Sequence, residues 1–229
     1  MPFALDLLST IAVVSPLVRG LVFFAFIIGL ILIVRFVFGL VARARKKSDA
    51  AWSQAADELG ITFTPPPPRG LYGHLMEGLV EGFHVKVHNQ THLPGRPVDV
   101  HIFTEFRVSF PAPLELGLSL SCEGGLFENL SKKLGAQDII TGDQAFDDAF
   151  LIKGTDEDSV IEFLGEERRK QLLELNQTLT DIVVTDGELF WVIDGVVNDT
   201  ETLVGHISEL TRVAFILAGH LATSSEAEQ

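Results

Sequence analysis

The sequence predicts an α+β protein in which an N-terminal transmembrane helix precedes one cytosolic domain, an antiparallel sheet covered by two helices. Three observations predict this fold class. An apolar stretch spans residues 20–42. Apolar and polar residues alternate in several segments between residues 71 and 122, as in strands with one buried face. Two later segments space their apolar residues three and four apart, the period of a helix with one buried face.

The stretch at residues 20–42 is long enough to cross a bilayer. A helix rises about 1.5 Å per residue, and about 20 apolar residues span the hydrocarbon layer. Arg35 is the only charged residue in the stretch. Charge is costly at that depth, but a long arginine side chain can snorkel to the interface. A contact between Arg35 and a partner or a lipid headgroup is the alternative interpretation.

The flanks of this stretch predict its orientation. Only Asp6 and Arg19 carry charge before it. A basic collar follows it, formed by Arg43, Arg45, Lys46 and Lys47. Basic flanks stay on the cytoplasmic side, so we expect a single-pass anchor with its amino terminus outside and the domain in the cytosol. No basic region precedes the apolar core, which favours an uncleaved anchor over a signal peptide. A second span within residues 1–18 is the alternative.

The charge balance restricts the partners. Residues 1–47 hold six of the chain's 17 Lys and Arg and one of its 31 Asp and Glu, which leaves 11 basic and 30 acidic residues in 48–229, a net charge of −19. Nucleic-acid binding needs a basic face, so we expect no nucleic acid partner. Anionic lipids of the bilayer are expected to contact only the basic collar. Cys122 is the only cysteine, which excludes an intrachain disulfide and suits a reducing compartment.

A juxtamembrane helix is predicted over residues 48–60. Ser48 or Asp49 can cap it, and Gly60 can end it. Its apolar face holds Trp52, Ala55, Ala56 and Leu59. This helix either continues the membrane helix or docks on the domain. The four prolines at residues 65–68 predict a stiff strap between strands, and a proline-rich ligand for a recognition domain is the alternative.

Strands are predicted along the first half of the domain. The predicted segments are Ile61–Thr64, Leu71–Gly78, Val80–Asn89 with a turn near Gly82, Val98–Glu105 and Leu114–Cys122. The last of them alternates most regularly, with a leucine at every second position from 114 to 120.

Helices and a hairpin are predicted along the second half. Residues 127–134 resemble a short helix, and a capping-box pattern at residues 155–158 begins a helix that runs to about Leu175. Asp181–Asp194 forms a hairpin about Asp186-Gly187, a dipeptide that type I′ turns prefer. The final helix begins at Asp199 or Thr200, and its spacing favours packing on the sheet over a coiled-coil seam.

These predictions divide the chain into five parts. They are an apolar N-terminal segment (1–19), a transmembrane helix (20–42), a basic collar with the juxtamembrane helix (43–60), an α+β domain (61–222) and a flexible tail (223–229).

Histidines in the predicted strands raise the possibility of a metal site. His84 and His88 share one strand face but lie about 13 Å apart at the usual rise. His88 and His101 can oppose each other across a hairpin, which supplies two ligands where catalytic zinc needs three. We therefore expect no metal and interpret these histidines, with His92, as residues of the polar face.

An acidic cluster is formed by Asp143, Asp147 and Asp148. Paired carboxylates serve glycoside hydrolysis or bind calcium, but the spacing of a calcium loop is missing. Capping and turn formation are the favoured interpretation. The sequence has no dinucleotide-binding, phosphate-loop, esterase or zinc-protease motif, so nothing in it predicts a cofactor or an enzyme.

One segment resembles a known pattern, T-G-D-x-x-F-D-x-x-F-x-[VI]-x-G. Its positions here are Thr141, Gly142, Asp143, Phe146, Asp147, Phe150, Ile152 and Gly154. The pattern is similar to that of a bacterial membrane-anchored family of unknown function. The resemblance implies a bacterial source, hence the inner membrane, and a single domain behind one or two spans, with no activity to transfer. Phe146 and Phe150 are predicted to pack together, and Asp143 to cap the turn between them.

Three hypotheses of function follow. The first is a binding or scaffold module at the cytoplasmic membrane face with a protein partner. The second is a membrane-tethered hydrolase that uses the acids at 143–148 or the hairpin from His84 to His101. The third is an accessory subunit whose span joins a larger membrane complex through Arg35.

Overall fold

The computed structural model describes residues 16–67, 73–90, 102–122 and 138–225. The chain divides into two compact units, the first ending at Lys47 and the second beginning at Ser48. The second unit confirms the predicted fold class: it contains an eight-stranded antiparallel sheet with helices.

Helix α1 runs from Pro16 to Leu59. Its part from Leu21 contains an apolar stretch that could cross a membrane, by length and composition. Exposed large apolar side chains extend from Leu21 to Val41, a surface suited to lipid rather than to water. The prediction of an apolar helix that could span a membrane is confirmed.

The predicted juxtamembrane helix forms the last turns of α1. It continues the long helix, and within the second unit it also packs on the domain, so both alternatives hold. Trp52, Ala55 and Ala56 are fully buried in the core of that unit. The helix ends where Gly60 takes a left-handed conformation, φ +68°, which glycine adopts without steric cost.

The strands form one antiparallel sheet in which the spatial order differs from the order along the chain. They are β1 (Thr62–Thr64), β2 (Leu75–Val80), β3 (Phe83–Gln90), β4 (Phe103–Ser109), β5 (Ser119–Cys122), β6 (Phe150–Lys153), β7 (Val183–Thr185) and β8 (Glu188–Asp194). Their order across the sheet is β1-β2-β3-β4-β8-β7-β5-β6, and every neighbouring pair is antiparallel.

Four further helices follow in the part of the chain that the structure describes. They are α2 (Gln144–Ala149), α3 (Glu157–Phe163), α4 (Glu166–Thr178) and α5 (Thr200–Ser225). Asp199 begins α5 by accepting a hydrogen bond from the Thr202 amide at 2.8 Å. The buried face of α5 packs in the same core as the sheet and α4, through Leu203, Ile207, Leu210, Val213, Ala214 and Leu217.

The single helix predicted to run to about Leu175 was wrong, because Gly165 separates α3 from α4. Gly165 has ψ 165°, which is extended rather than helical. Two guanidinium groups bind the carbonyls that α3 leaves free. Arg168 donates to Phe163 O and Arg169 to Leu164 O, both at 2.7 Å. The break therefore satisfies its own main-chain groups.

The strand predicted over Leu114–Cys122 is shorter in the structure, where β5 begins only at Ser119. Glu115 and Gly117 have positive φ, which interrupts a strand. The Asp186 carboxylate accepts hydrogen bonds from the amides of Leu116, Gly117 and Leu118 at 3.2, 2.8 and 2.7 Å. These amides thus bind a side chain instead of a neighbouring strand.

The β7–β8 hairpin is confirmed, but its type I′ turn is not. A type I′ turn needs positive φ at both central residues, and neither Asp186 nor Gly187 has it. The tight turn between β2 and β3 has that feature instead, with φ 53° at Glu81 and 85° at Gly82. Asp186 is held by the loop before β5, and this contact sets the backbone of its turn.

Several predictions fall on residues outside the described ranges. They are most of the N-terminal segment with its alternative second span (1–15), Pro68 of the proline strap, the start of the strand predicted from Leu71, the strand portion at 98–101, the helix at 127–134, His92, His101 and the end of the tail.

Candidate functional site

The end of β8 has a neighbouring strand on one side only. β8 pairs with β4 along its whole length, from Glu188 to Asp194. It pairs with β7 only through Leu189 and Phe190. Among the described residues, no strand therefore pairs with the other edge of Trp191–Asp194. We name this edge the β8 notch.

The main-chain groups that face the β8 notch follow from the hydrogen bonds to the other side. Gly187 O accepts from Phe110 N at 2.8 Å, and Gly195 N donates to Ile102 O at 2.7 Å. In an antiparallel pair, residues directed toward the partner alternate with residues directed away. Val192 and Asp194 therefore direct their N–H and C=O groups away from β4 and into the notch.

A cleft of about 450 Å³ lies beside the β8 notch. Its walls come from the end of α4, the connection to β7, the end of β8 and one residue of α5. The lining residues are Thr178, Thr180, Asp181, Trp191, Val192, Ile193, Asp194 and His206.

Aromatic rings form one wall of the cleft. The ring centroids of Trp191 and His206 are 4.9 Å apart in an edge-to-face arrangement, and Phe106 packs against both rings. Trp191 Nε1 donates a hydrogen bond of 2.7 Å to Thr180 O. This bond joins the connection before β7 to the end of β8.

The described residues that line the cleft carry a net negative charge. Burial lowers the pKa of His206, and the nearby Glu209 carboxylate only partly opposes this effect. The imidazole is therefore neutral at pH 7 and does not balance the carboxylates of Asp181 and Asp194. No lysine or arginine is among the described residues that line the cleft. Asp181 itself is held in a left-handed conformation, φ 65°, which aspartate tolerates better than most residues.

The cleft combines two carboxylates, two exposed threonines, an aromatic wall and a strand edge with which no strand of the described residues pairs. Within the described ranges, no group of three or more His, Cys, Asp or Glu residues is arranged to hold a metal ion. Cys122 lies near Asp181 but is buried, and burial raises the pKa of its thiol, which donates to Asn176 Oδ1.

The predicted acidic cluster lies elsewhere, around α2. Asp143 caps that helix by accepting from Phe146 N at 3.4 Å, and it pairs with Arg169 at 3.2 Å. Asp147 accepts from the Thr141 amide and hydroxyl at 2.9 and 2.7 Å. Asp148 is exposed.

The predicted aromatic contact in the same segment is also present, with the rings of Phe146 and Phe150 4.9 Å apart. The capping and packing predicted for this segment are therefore confirmed. The use of its acids by a hydrolase stays a prediction.

The predicted pairing of His88 with His101 was wrong. The register of β3 and β4 places Glu105 opposite His88, with 3.9 Å between His88 Nε2 and the carboxylate, and His101 is outside the described residues. This register keeps Val87 opposite Phe106 on the core face, and a slip by one residue would expose that face.

The remaining predicted residues lie apart from the cleft. His84 is half exposed and faces Glu77 at 3.4 Å. The carboxylate of Glu105, opposite His88, accepts hydrogen bonds from Gln90 and Arg107. Arg107 also forms a salt bridge with Glu188. Arg35 is exposed on the apolar part of α1.

Sequence reasoning missed the residues of the cleft. Asp181 and Asp194 were noted only as the ends of a hairpin, and His206 was not singled out. One signal was present: the apolar run before Asp186 is shorter than the run after Gly187. A hairpin with unequal arms leaves part of the longer strand without a partner, which is the geometry of the notch.

Comparison with known proteins adds a fold likeness. No protein-family model matches the chain, and no curated protein matches it. Among solved structures, the chain is similar to the crystal structure of the mycobacterial trehalose monomycolate transport factor A, TtfA. It is 10% identical, the match covers 72% of this chain and 89% of that chain, and the TM-score is 0.44. At these values, what TtfA does is not evidence for what this chain does.

Proposed function

We propose that the protein is a membrane-anchored binding module whose second unit recognises a protein partner at the cytoplasmic membrane face. The observation that carries this proposal is the cleft beside the β8 notch. Its aromatic wall, its carboxylates with no lysine or arginine among the described lining residues, and its strand edge with no partner strand among the described residues are features of a recognition site. Two of the acids considered for catalysis, Asp143 and Asp147, hold the cap of α2 and the turn before it, which supports a binding role over a catalytic one.

The anchor supports the location. Apolar residues cover α1 from Leu21 to Val41, and the basic collar follows them. The collar favours the cytoplasmic side because basic flanks resist translocation. The resemblance at residues 141–154 supports a bacterial inner membrane.

Cysteine accessibility tests the orientation. Single cysteines are placed by Ser9→Cys or Ser225→Cys in a Cys122→Ala background and treated in intact cells with an impermeant reagent. Labelling of the Ser9→Cys variant alone supports a cytosolic domain. Labelling of the Ser225→Cys variant alone reverses the orientation, and labelling of neither variant favours two spans with both ends inside.

Site-specific crosslinking tests the binding role. A photo-reactive phenylalanine derivative replaces Thr178, an exposed residue of the cleft. The same derivative at Glu157, exposed at the start of α3, is the matched control. We expect a discrete adduct from position 178 in intact cells, no adduct from position 157, and loss of the adduct when Thr180→Trp fills the cleft. Equal adducts from both positions, or an adduct unaffected by Thr180→Trp, would count against the cleft as the binding site.

The accessory-subunit hypothesis has one specific observation in its favour. Arg35 lies exposed among apolar side chains of α1. A guanidinium group on a span is stabilised by a polar partner within the membrane, although snorkelling achieves the same without one. Arg35→Leu should release the protein from a membrane complex on a native gel if such a partner exists, and should leave its migration unchanged if it does not.

A further inference from the structure

We infer that the cleft binds an extended segment of the partner that carries a lysine or arginine side chain, held by Asp181 and Asp194. The inference rests on the proposed binding function and names the chemistry of the ligand. Two independent observations lead to it, one from the main chain of β8 and one from the charges around it.

The strand edge selects a peptide. Val192 and Asp194 direct main-chain N–H and C=O groups into the β8 notch, and β7 ends before it reaches them. Unpaired main-chain groups on a strand edge are satisfied by another extended chain, and adding a strand to an open edge is a recurrent mode of peptide recognition. A short segment is enough to pair with this edge, because the part of β8 with no partner strand among the described residues is only as long as Trp191–Asp194.

The charges select a basic side chain. The lining carries two carboxylates, and its histidine is neutral at pH 7 because burial lowers the pKa of that imidazole. A carboxylate is stabilised by a nearby ammonium or guanidinium group, which also donates hydrogen bonds to it. Residues 48–229 carry a net charge of −19, so the long-range field also favours the approach of a basic partner.

The apolar wall favours an organic cation over a metal ion. Trp191, Val192 and Ile193 line the cleft beside the acids. Calcium and magnesium prefer several oxygen ligands and water, which such a wall does not supply. The aliphatic stem of lysine or arginine packs on apolar surface while its charged end reaches the carboxylates. A free amine would satisfy the carboxylates and leave the strand edge unpaired, so a test must separate the two ligands.

The experiment measures binding of synthetic peptides to the full-length protein in nanodiscs of zwitterionic lipid, which do not attract a basic probe. The first probe is a short fluorescent peptide that alternates threonine and lysine. The second replaces each lysine with glutamate. The third keeps the lysines but is N-methylated along one edge, which removes the donors that pair with a strand. Anisotropy gives the affinity of each probe.

Matched variants separate local from general charge effects. Asp181→Asn/Asp194→Asn removes two charges from the cleft, and asparagine tolerates the left-handed backbone at position 181. Glu157→Gln/Asp158→Asn removes two charges from the exposed start of α3. Both variants change the net charge equally.

We expect the lysine peptide to bind and the cleft variant to weaken it by about tenfold or more, as loss of close charge pairs does, with little change in the α3 variant. The glutamate and N-methylated peptides should bind at least about tenfold more weakly. Equal weakening by both variants would overturn the inference in favour of non-specific attraction. Full binding of the N-methylated peptide would overturn the strand-pairing step and indicate a free amine site.

The outcome is distinguishable from failure of the proposed function. A crosslinked partner at Thr178 combined with no binding of the lysine peptide would overturn the basic ligand and retain the binding module. Absence of both would remove the binding module as well.

Discussion

Two histidines of the second unit lie in opposite environments. His74 is 1% exposed, and both of its ring nitrogens have partners. Nε2 is 2.8 Å from Asp49 Oδ1, and Nδ1 is 2.8 Å from Asn89 Nδ2. His206 is half-buried, packs edge-on against Trp191, and lines an open cleft.

The difference separates a structural histidine from a candidate ligand-binding one. Asn89 Oδ1 also accepts hydrogen bonds from the amides of Gly73 and His74, so both ring nitrogens of His74 and both polar atoms of the Asn89 side chain are used. The network ties the juxtamembrane turns of α1, through Asp49, to β2 and β3. Around His206, the described residues supply no lysine or arginine to the carboxylates of the cleft and no partner strand to the edge of β8. A satisfied network stabilises the fold, whereas an unsatisfied one facing a cleft is available to a ligand.

The largest effect is expected from His74→Ala. It leaves the buried Asn89 Nδ2 without its ring-nitrogen partner, removes the hydrogen bond to Asp49 and creates a cavity beside Trp52, so we expect a loss of about 3 kcal/mol in unfolding free energy, or about 10 °C in Tm. Tryptophan fluorescence of the full-length protein in detergent during heating measures it. His74→Gln should fall between the wild type and alanine, and His84→Ala, on the exposed face, should change Tm little. If His206→Ala costs as much as His74→Ala, the contrast between the two sites is wrong.

An intermediate effect is expected from the two tryptophans, each of which donates to a main-chain carbonyl. Trp52 Nε1 binds Val197 O at 2.8 Å, and Trp191 Nε1 binds Thr180 O at 2.7 Å. Each Trp→Phe change removes one hydrogen bond and should cost about 1 kcal/mol, or more if the carbonyl stays buried and unpaired.

Only Trp191→Phe should also weaken the binding of the lysine peptide, because it removes the hydrogen bond that joins Thr180 to the aromatic wall of the cleft. Melting and anisotropy on the same samples separate the two effects. Weakened peptide binding in Trp52→Phe would show that the cleft depends on the contact of Trp52 with Val197 as well as on the hydrogen bond between Trp191 and Thr180.

The smallest effect is expected from the titration of His206. Burial lowers the pKa of this imidazole below its ordinary value of 6.5, so the unfolded chain takes up the proton more readily than the folded one. The contribution of neutral His206 to folding stability is therefore fully present above about pH 6.5, and it is lost as the pH falls toward the lower folded pKa. Protonation also adds a positive charge to the lining of the cleft and weakens the binding of a basic peptide, while Glu209 on the same helix opposes the shift.

His206→Gln should remove this step from the pH dependence of both Tm and peptide affinity. The measurement is a pair of pH series from 7.5 down to about 5, which brackets the ordinary histidine pKa. An unchanged series would assign the step to another group.

Local features of this fold were predictable from the sequence. Alternation placed Phe83, Val85 and Val87 on one face of β3, and all three are buried. Spacing by four predicted the contact of Phe146 with Phe150. Such predictions succeed because the period of a helix or a strand brings these residues together whatever the rest of the chain does.

The candidate site was not predictable in the same way. His206 meets Trp191 because α5 lies across the sheet, and the cleft opens because β7 is shorter than β8. The boundaries that failed have a similar cause: β5 starts late because Asp186, far along the chain, binds the amides of residues 116–118. Each outcome depends on a contact between distant segments.

The sequence by itself determined the apolar helix that could span a membrane, the acidic character of residues 48–229, the α+β class and the faces that most elements bury. Length, charge and period suffice for these, because each is a property of a continuous segment. Only the tertiary structure decided which elements are neighbours. It made His74 part of a hydrogen-bonded network with Asp49 and Asn89, and it placed His206 in a cleft that Asp181 and Asp194 also line. Periodicity states that a face is buried, but the partner that covers it is chosen by packing over the whole chain.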